Sequence, residues 1–250
     1  LKRSLRPWSR LCLALALLAA TAGSASATTI IGGSNLLDSA GADLLEGWLG
    51  EGELELTNIF TKGPGDTSED FHDAVDGMGR TFSLIEVVDS EGNLVQIIGG
   101  YNPQSWSSIG DYHYTYSDVE RTAFLFNLTS SEIQRQRLST SELGANIGEI
   151  QSLNHQSSGP TFGGGNDLYT DALLNWGYAY SYSYGTGGNY GWGYGITGTG
   201  NGYYFTIGQI EVFSIAPDPT APIPEPATMT LLGLGLAGLA ARARKKSTTT

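Results

Sequence analysis

The sequence predicts a mainly β domain of the α+β type, a two-sheet antiparallel β-sandwich flanked by short helices, over residues 28–215. Three observations carry this. Runs rich in β-branched and aromatic residues recur between turn-forming clusters. Thirty-five glycines punctuate the 250 residues. Helical spacing of apolar residues appears in only two stretches, both early.

Taken in order, Leu44, Leu45, Trp48 and Leu49 fall on one helical face. Ser68 is placed to cap a second helix, with Glu69 and Asp70 in its first turn, Phe71 and Val75 facing inward, and Gly77 ending it. A strand is expected over 80–88, where Phe82 and Leu84 share a face while Ile85 and Val87 break strict alternation. Another follows over 94–98, after the turn Ser90-Glu91-Gly92-Asn93. Residues 123–128 and 203–215 complete the expected strands. Two stretches read as irregular: 129–158 as a polar excursion, and 176–204 as a Gly/Tyr-rich segment.

Charge divides the chain into three. Lys2, Arg3, Arg6 and Arg10 precede Leu11, and Arg242, Arg244, Lys245 and Lys246 follow Ala241. All 25 acidic residues lie between Asp38 and Glu225, against five bases there (Lys62, Arg80, Arg121, Arg135, Arg137), a net of −20. Such a surface repels phosphate backbones, so a nucleic-acid partner is not expected. The single cysteine, Cys12, falls in the first segment, which leaves the rest without disulfide, zinc-thiolate or thiol chemistry.

Both ends read as addresses. In residues 1–27 a basic start precedes the apolar run 11–20 and then Ala25-Ser26-Ala27, the pattern of a signal peptide cut after Ala27 following Sec-type export. Residues 216–226 hold five of the nine prolines, which favours an extended stalk. Residues 227–241 are fifteen apolar or small residues followed by the basic cluster. A helix of that length covers about 22 Å, less than the ~30 Å hydrocarbon core. It suits a protein held in a membrane until processing, with residues 227–246 as the tail signal and 247–250 as a short end. Gly233 to Gly238 matches the glycine spacing of a dinucleotide loop, but lacks the preceding strand that such a loop requires.

Pro224-Glu225-Pro226, the short Gly/Leu-rich helix and the basic cluster together resemble a PEP-CTERM sorting signal. The resemblance implies handling by an exosortase, removal of the tail, and delivery to the cell surface or exopolysaccharide matrix of a Gram-negative bacterium. The domain between resembles a TLDc domain over 44–215. The likeness rests on Phe71-His72-Asp73, Asp76-Gly77, Gly99-Gly100-Tyr101, Gln104-Ser105-Trp106, Ala123-Phe124-Leu125-Phe126, the run from Gly159 to Leu168, and Ile210-Glu211-Val212-Phe213. It implies a β-sandwich with flanking helices and no particular reaction.

The chemistry-bearing residues are few. No Gly-x-Ser-x-Gly elbow, His-Glu-x-x-His pair or phosphate-loop lysine occurs, and no cofactor or metal is expected. His72, His113 and His155 are scattered, and His72, beside an inward-facing Phe71, suits a surface or capping role. Asp167 and Glu211 are the acids to test as a glycosidase pair. The competing readings are that Asp167 fixes a turn through its own backbone and that Glu211 pairs with a neighbouring arginine. Tyr178, Tyr180, Tyr182 and Tyr184 alternate, so a strand would present all four on one face, either as core or as a surface that stacks on sugars. Tyr180, Tyr182 and Trp192 are the candidate ligand contacts. Two functions follow: a non-catalytic surface or matrix protein that binds exopolysaccharide, and a hydrolase of that polymer.

Overall fold

The computed structural model describes residues 28–198 and 203–217. The signal residues Ala25 and Ala27, the motif Pro224, Glu225 and Pro226, and the apolar tail therefore lie outside the described residues. Among those described, no helix is long and apolar enough to cross a membrane.

The domain is mainly β, with two sheets and few helices. In chain order the main sheet receives β1 (Thr29–Ile31), β2 (Leu54–Thr61), β3 (Thr81–Val88), β4 (Leu94–Asn102), β6 (Phe124–Asn127), β7 (Glu132–Arg135), β9 (Leu168–Thr170), β10 (Trp176–Ala179) and β11 (Tyr204–Pro217). Their spatial order is β1-β2-β11-β3-β4-β6-β7, with β10 on β11 and β9 on β10. Every pair is antiparallel except β1 with β2. β5 (Ile109–Tyr114) and β8 (Ile150–His155) form a separate two-stranded sheet.

Helix α1 (Ser39–Leu49) begins where the Asp38 carboxylate accepts the Gly41 N–H at 2.8 Å, and it ends at Gly50, whose φ of 74° is the left-handed cap that glycine adopts without strain. Helix α2 (Ser68–Val75) is capped by Thr67, not Ser68, through a reciprocal box with Asp70. It ends at Asp76. Phe71 and Val75 are fully buried, as their spacing predicts.

The main sheet is buried on both faces. Ile85, Val87, Ile98, Leu125, Ile210 and Val212 point to a core shared with Phe71 and Val75 of α2 and with Trp106 and Phe162. Phe82, Leu84, Tyr101, Phe124, Phe126, Phe213 and Ile215 point to a second core, closed by Ala42 and Leu45 of α1. This explains why β3 breaks the alternation of a one-sided strand. Its even residues fill one core and its odd ones the other, so both parities read as apolar. The same two-sided demand acts at Gly99 and Gly100. A methyl on Gly99 would lie 2.6 Å from the Phe126 ring, and one on Gly100 would lie 2.6 Å from the Phe162 ring. Gly100→Ala is expected to cost about 1–3 kcal/mol through overpacking. A melting curve checks this, and an unchanged midpoint would contradict it.

The stretch 129–158 is not an excursion. It supplies β7 to the main sheet and β8 to the small one, and it buries Gln136, Arg137 and Gln151. The strand expected over 94–98 extends to Asn102. β11 runs to Pro217, so Ala216 and Pro217 pair with Glu55 and Leu54 and belong to the sheet, not to a stalk.

Candidate functional site

Three short strand segments build the most distinctive surface. Across β9, β10 and β11, Tyr169 stands opposite Tyr178, and Tyr178 opposite Tyr204. Strand alternation puts these three rings and Trp176 on the outer face. Leu168, Ala179 and Phe205 take the inner face, in the α2-side core. Tyr169 and Tyr178 stack with centroids 4.9 Å apart, and Tyr178 meets Tyr204 edge-on at 5.8 Å. Such cross-strand aromatic pairs are a principal stabilising unit of sheets.

Trp192 closes the cluster. It leads a single 3-10 turn, Trp192–Tyr194, and meets Tyr180 at 5.0 Å, Tyr178 at 5.3 Å, and Tyr203 and Tyr204 both at 5.7 Å. Seven rings are thus joined by edge-to-face, tilted or stacked contacts, and several remain open to solvent: Tyr204 is 64% exposed, Tyr203 47%, Trp176 43% and Trp192 39%. Burial raises the Tyr178 hydroxyl above its ordinary pKa, and the Asn166 amide donates to it at 3.0 Å.

Two buried charges hold the loop that carries Tyr180 and Trp192. The Asp167 carboxylate accepts the backbone N–H groups of Tyr182, Ser183 and Tyr184. From the other side Arg137 donates to the carbonyls of Tyr182, Gly187 and Asn189 and to Ser181 Oγ. The loop's donors therefore go to an anion and its acceptors to a cation. Desolvation pushes the Asp167 carboxyl up to about 6, against the pull of those three N–H groups and of Arg137. Desolvation likewise lowers Arg137, opposed by Asp167.

Several expectations need correction. The four alternating tyrosines do not share a face, because β10 ends at Ala179. Tyr184 turns into the core and its hydroxyl donates to the Gln151 carbonyl. Tyr182 is 39% exposed but stands outside the linked rings, so Tyr180 and Trp192 belong to the platform and Tyr182 does not. The Asp167 carboxylate holds a distant segment, residues 182–184, while its own turn is closed by the Asn166 N–H donating to the Gly163 carbonyl. Among the described residues Glu211 meets no arginine; it accepts from Ser34 Oγ and from the N–H groups of Asn35 and Leu36, which ties residues 34–36 to β11. Both acids are fully buried, so neither can reach a glycosidic oxygen as a glycosidase pair requires.

His72 is also not at the surface. At 4% exposure it bridges Asp76, 2.7 Å from Nδ1, to the carbonyls of His155 and Ser158 near Nε2, fastening α2 to that loop. Ser157 Oγ lies 2.7 Å from His155 Nδ1, but the pair is two residues apart in an exposed turn. Among the described residues no three His, Cys, Asp or Glu side chains converge as a metal site.

Sequence reasoning missed Tyr169, Tyr204 and Arg137. The first two become visible only when strands distant in sequence are paired. Arg137 lay in the stretch read as an excursion.

A family model for the TLDc domain matches residues 55–216. A second, for the PEP-CTERM protein-sorting motif, matches residues 222–245. No curated protein matches the chain.

Proposed function

The chain belongs to the TLDc-domain family, and from that premise we propose that it is a non-catalytic binding protein whose aromatic platform stacks on the sugar rings of an exopolysaccharide. The PEP-CTERM motif marks an exported bacterial protein, directed to the cell surface and sorted by an exosortase. Around it the proposal places a signal peptide in residues 1–27 read by Sec-type machinery, a proline-rich spacer up to Pro226, and a membrane-held tail over 227–246 that is removed on sorting. The setting is the outer surface or matrix of a Gram-negative cell.

The observation that carries the reading is the seven-ring platform. Exposed, contiguous aromatic surface on a highly acidic protein marks a contact site. The apolar C–H face of a pyranose packs on such rings while tyrosine hydroxyls and indole N–H groups bond its hydroxyls. The two acids singled out as a hydrolytic pair are sealed in the interior, which weakens the hydrolase alternative.

Affinity electrophoresis of the purified full chain, through gels containing the source bacterium's exopolysaccharide, tests this. The wild-type chain is expected to be retarded, with no new reducing ends released. Trp192→Ala combined with Tyr204→Ala is expected to migrate about tenfold closer to the free rate. Equal retardation of the double variant, or release of reducing ends, would sink the proposal.

A further inference from the structure

A second row of rings stands on the small sheet. Strand alternation puts Tyr112 and Tyr114 on one face of β5, and Tyr116 follows just past its end. Tyr114 and Tyr116 stack with centroids 5.8 Å apart and planes 8° from parallel, and Tyr112 meets Tyr114 edge-on at 6.4 Å. These rings do not fill a core, since Tyr114 is 42% exposed and Tyr116 70%. Burial of apolar surface therefore does not account for the row.

The row borders the platform. Directly opposite residues of an antiparallel pair share a face, so Ile150 of β8, the partner of Tyr114, belongs to the tyrosine face. Ile150 lies against the turn from Gly163 to Asn166, where a methyl on Gly164 would come 2.9 Å from its Cδ1. The next two residues of that turn touch the platform. A methyl on Gly165 would come 3.1 Å from the Tyr180 ring, and the Asn166 amide donates to the Tyr178 hydroxyl at 3.0 Å. Burial is the first cause of the raised Tyr178 pKa, and Tyr112 adds to it together with Tyr169 and Tyr204. The Tyr112 hydroxyl is thus within electrostatic reach of the platform. The turn bridges the two aromatic surfaces, and its three glycines raise no side chain between them.

Dimensions say what kind of ligand would use both. From Tyr112 to Tyr116 an extended chain advances about 13 Å, and the three strands of the platform cover about 10 Å from side to side. One sugar ring covers only part of either surface. Each row repeats the same unit, a flat ring with a hydroxyl at its rim, which suits a ligand that repeats a flat apolar face edged by hydroxyls.

We propose that Tyr112, Tyr114 and Tyr116 form a second stacking surface for the same polysaccharide, so that the domain grips an extended internal stretch of the glycan chain across the 163–166 turn and not an isolated sugar or a chain end. This rests on the platform reading and adds how the ligand lies on the domain. Once one surface holds the chain, contact with the other is intramolecular, and such pairing raises affinity by about 10²–10⁴ over one contact alone.

The test is calorimetric titration of the purified full chain with fragments of the source bacterium's exopolysaccharide, made by partial acid hydrolysis and separated by size. Wild-type affinity per repeat unit is expected to rise steeply once fragments are long enough to span both surfaces. Tyr114→Ala combined with Tyr116→Ala is expected to weaken the intact polymer about tenfold and to flatten that length dependence, while the shortest fragment that binds is held as by wild type. Tyr116→Ala alone, at an exposed position outside any strand, is expected to keep the wild-type melting point and to show the same trend. Trp192→Ala is expected to weaken fragments of every length. Should the tyrosine variants bind long fragments as tightly as wild type while Trp192→Ala weakens them, the second surface is wrong and the platform reading stands. Equal affinity per repeat unit at every length would also overturn the second surface. Should Trp192→Ala behave as wild type towards every fragment, the platform reading falls and this inference falls with it.

Discussion

Replacing Arg137 by methionine is expected to lower the unfolding free energy by about 3–5 kcal/mol, the largest single effect foreseen for this domain. Methionine keeps much of the stem's packing, so the loss reports on the guanidinium. That group is 96% removed from solvent together with its side chain and donates to three carbonyls and one hydroxyl of the segment from Ser181 to Asn189. Each acceptor left without a donor costs about 1–3 kcal/mol when buried, partly relieved by entering water. Asp167 would also lose the cation whose charge opposes its desolvation. Lysine cannot substitute, since one ammonium cannot span the fork geometry that reaches four acceptors. Denaturant titration measures the loss. Tryptophan emission separates loop from fold: Trp192 is expected to shift to the red at denaturant concentrations where the far-ultraviolet signal is still native. Coincident transitions would mean that Arg137 supports the whole domain and not this loop.

Removing the opposing charge should be nearly as damaging and should leave a signature in pH. Asp167→Ala strips the acceptor from three buried backbone N–H groups at once, with an expected cost of about 3–4 kcal/mol at pH 7. The sign of the pH effect is opposite to that of an ordinary stabilising carboxylate. Because burial raises the folded value to about 6, above that of the unfolded chain, the folded domain binds more protons between about pH 4 and 6. The protonation-linked part of the Asp167 contribution is therefore full below about pH 4 and is lost as pH rises through 6, while its acceptor bonds to the three N–H groups remain at pH 7. The wild-type melting point is expected to climb as pH is lowered from 7 to 5, and Asp167→Asn to remove that climb. Below pH 4 the exposed Asp70, Asp89 and Asp118 act the other way. Hydrogen bonds from Thr67, Asn93 and Ser139 hold their pKa values low, so their contribution is lost as pH falls through those values. A wild-type melting point that falls steadily from pH 7 to 5 would refute the assignment.

Local signals were legible where the physics is local. The helix at 68–75 was readable because a cap, two acids and the Phe71/Val75 spacing all lie within one short window. The cap shifted only from Ser68 to Thr67, since both hydroxyls can serve and the chain's entry angle decides. The glycine pair at 99–100 was visible as a block, but its cause, one aromatic ring on each side, was not. The alternating tyrosines show the limit most clearly. Their spacing is compatible with a four-residue face, yet Asp167 gathers the N–H groups of Tyr182, Ser183 and Tyr184 into a turn and ends the strand before the face can form. No property of residues 178–184 alone encodes that carboxylate fifteen residues away.

By itself the sequence determined that the chain is mainly β, that its acidic middle lies between two address-like ends, and which family blocks it carries. Composition, charge order and short spacings are enough for those. Only the tertiary structure decided that Tyr169, Tyr178 and Tyr204 form one ladder, that Asp167 and Glu211 are sealed anchors, and that Arg137 holds the segment from Ser181 to Asn189. Each of these depends on which strands pair and in what register. Pairing is fixed by burial of both faces of one sheet at once, a condition on the whole chain and not on any window of it.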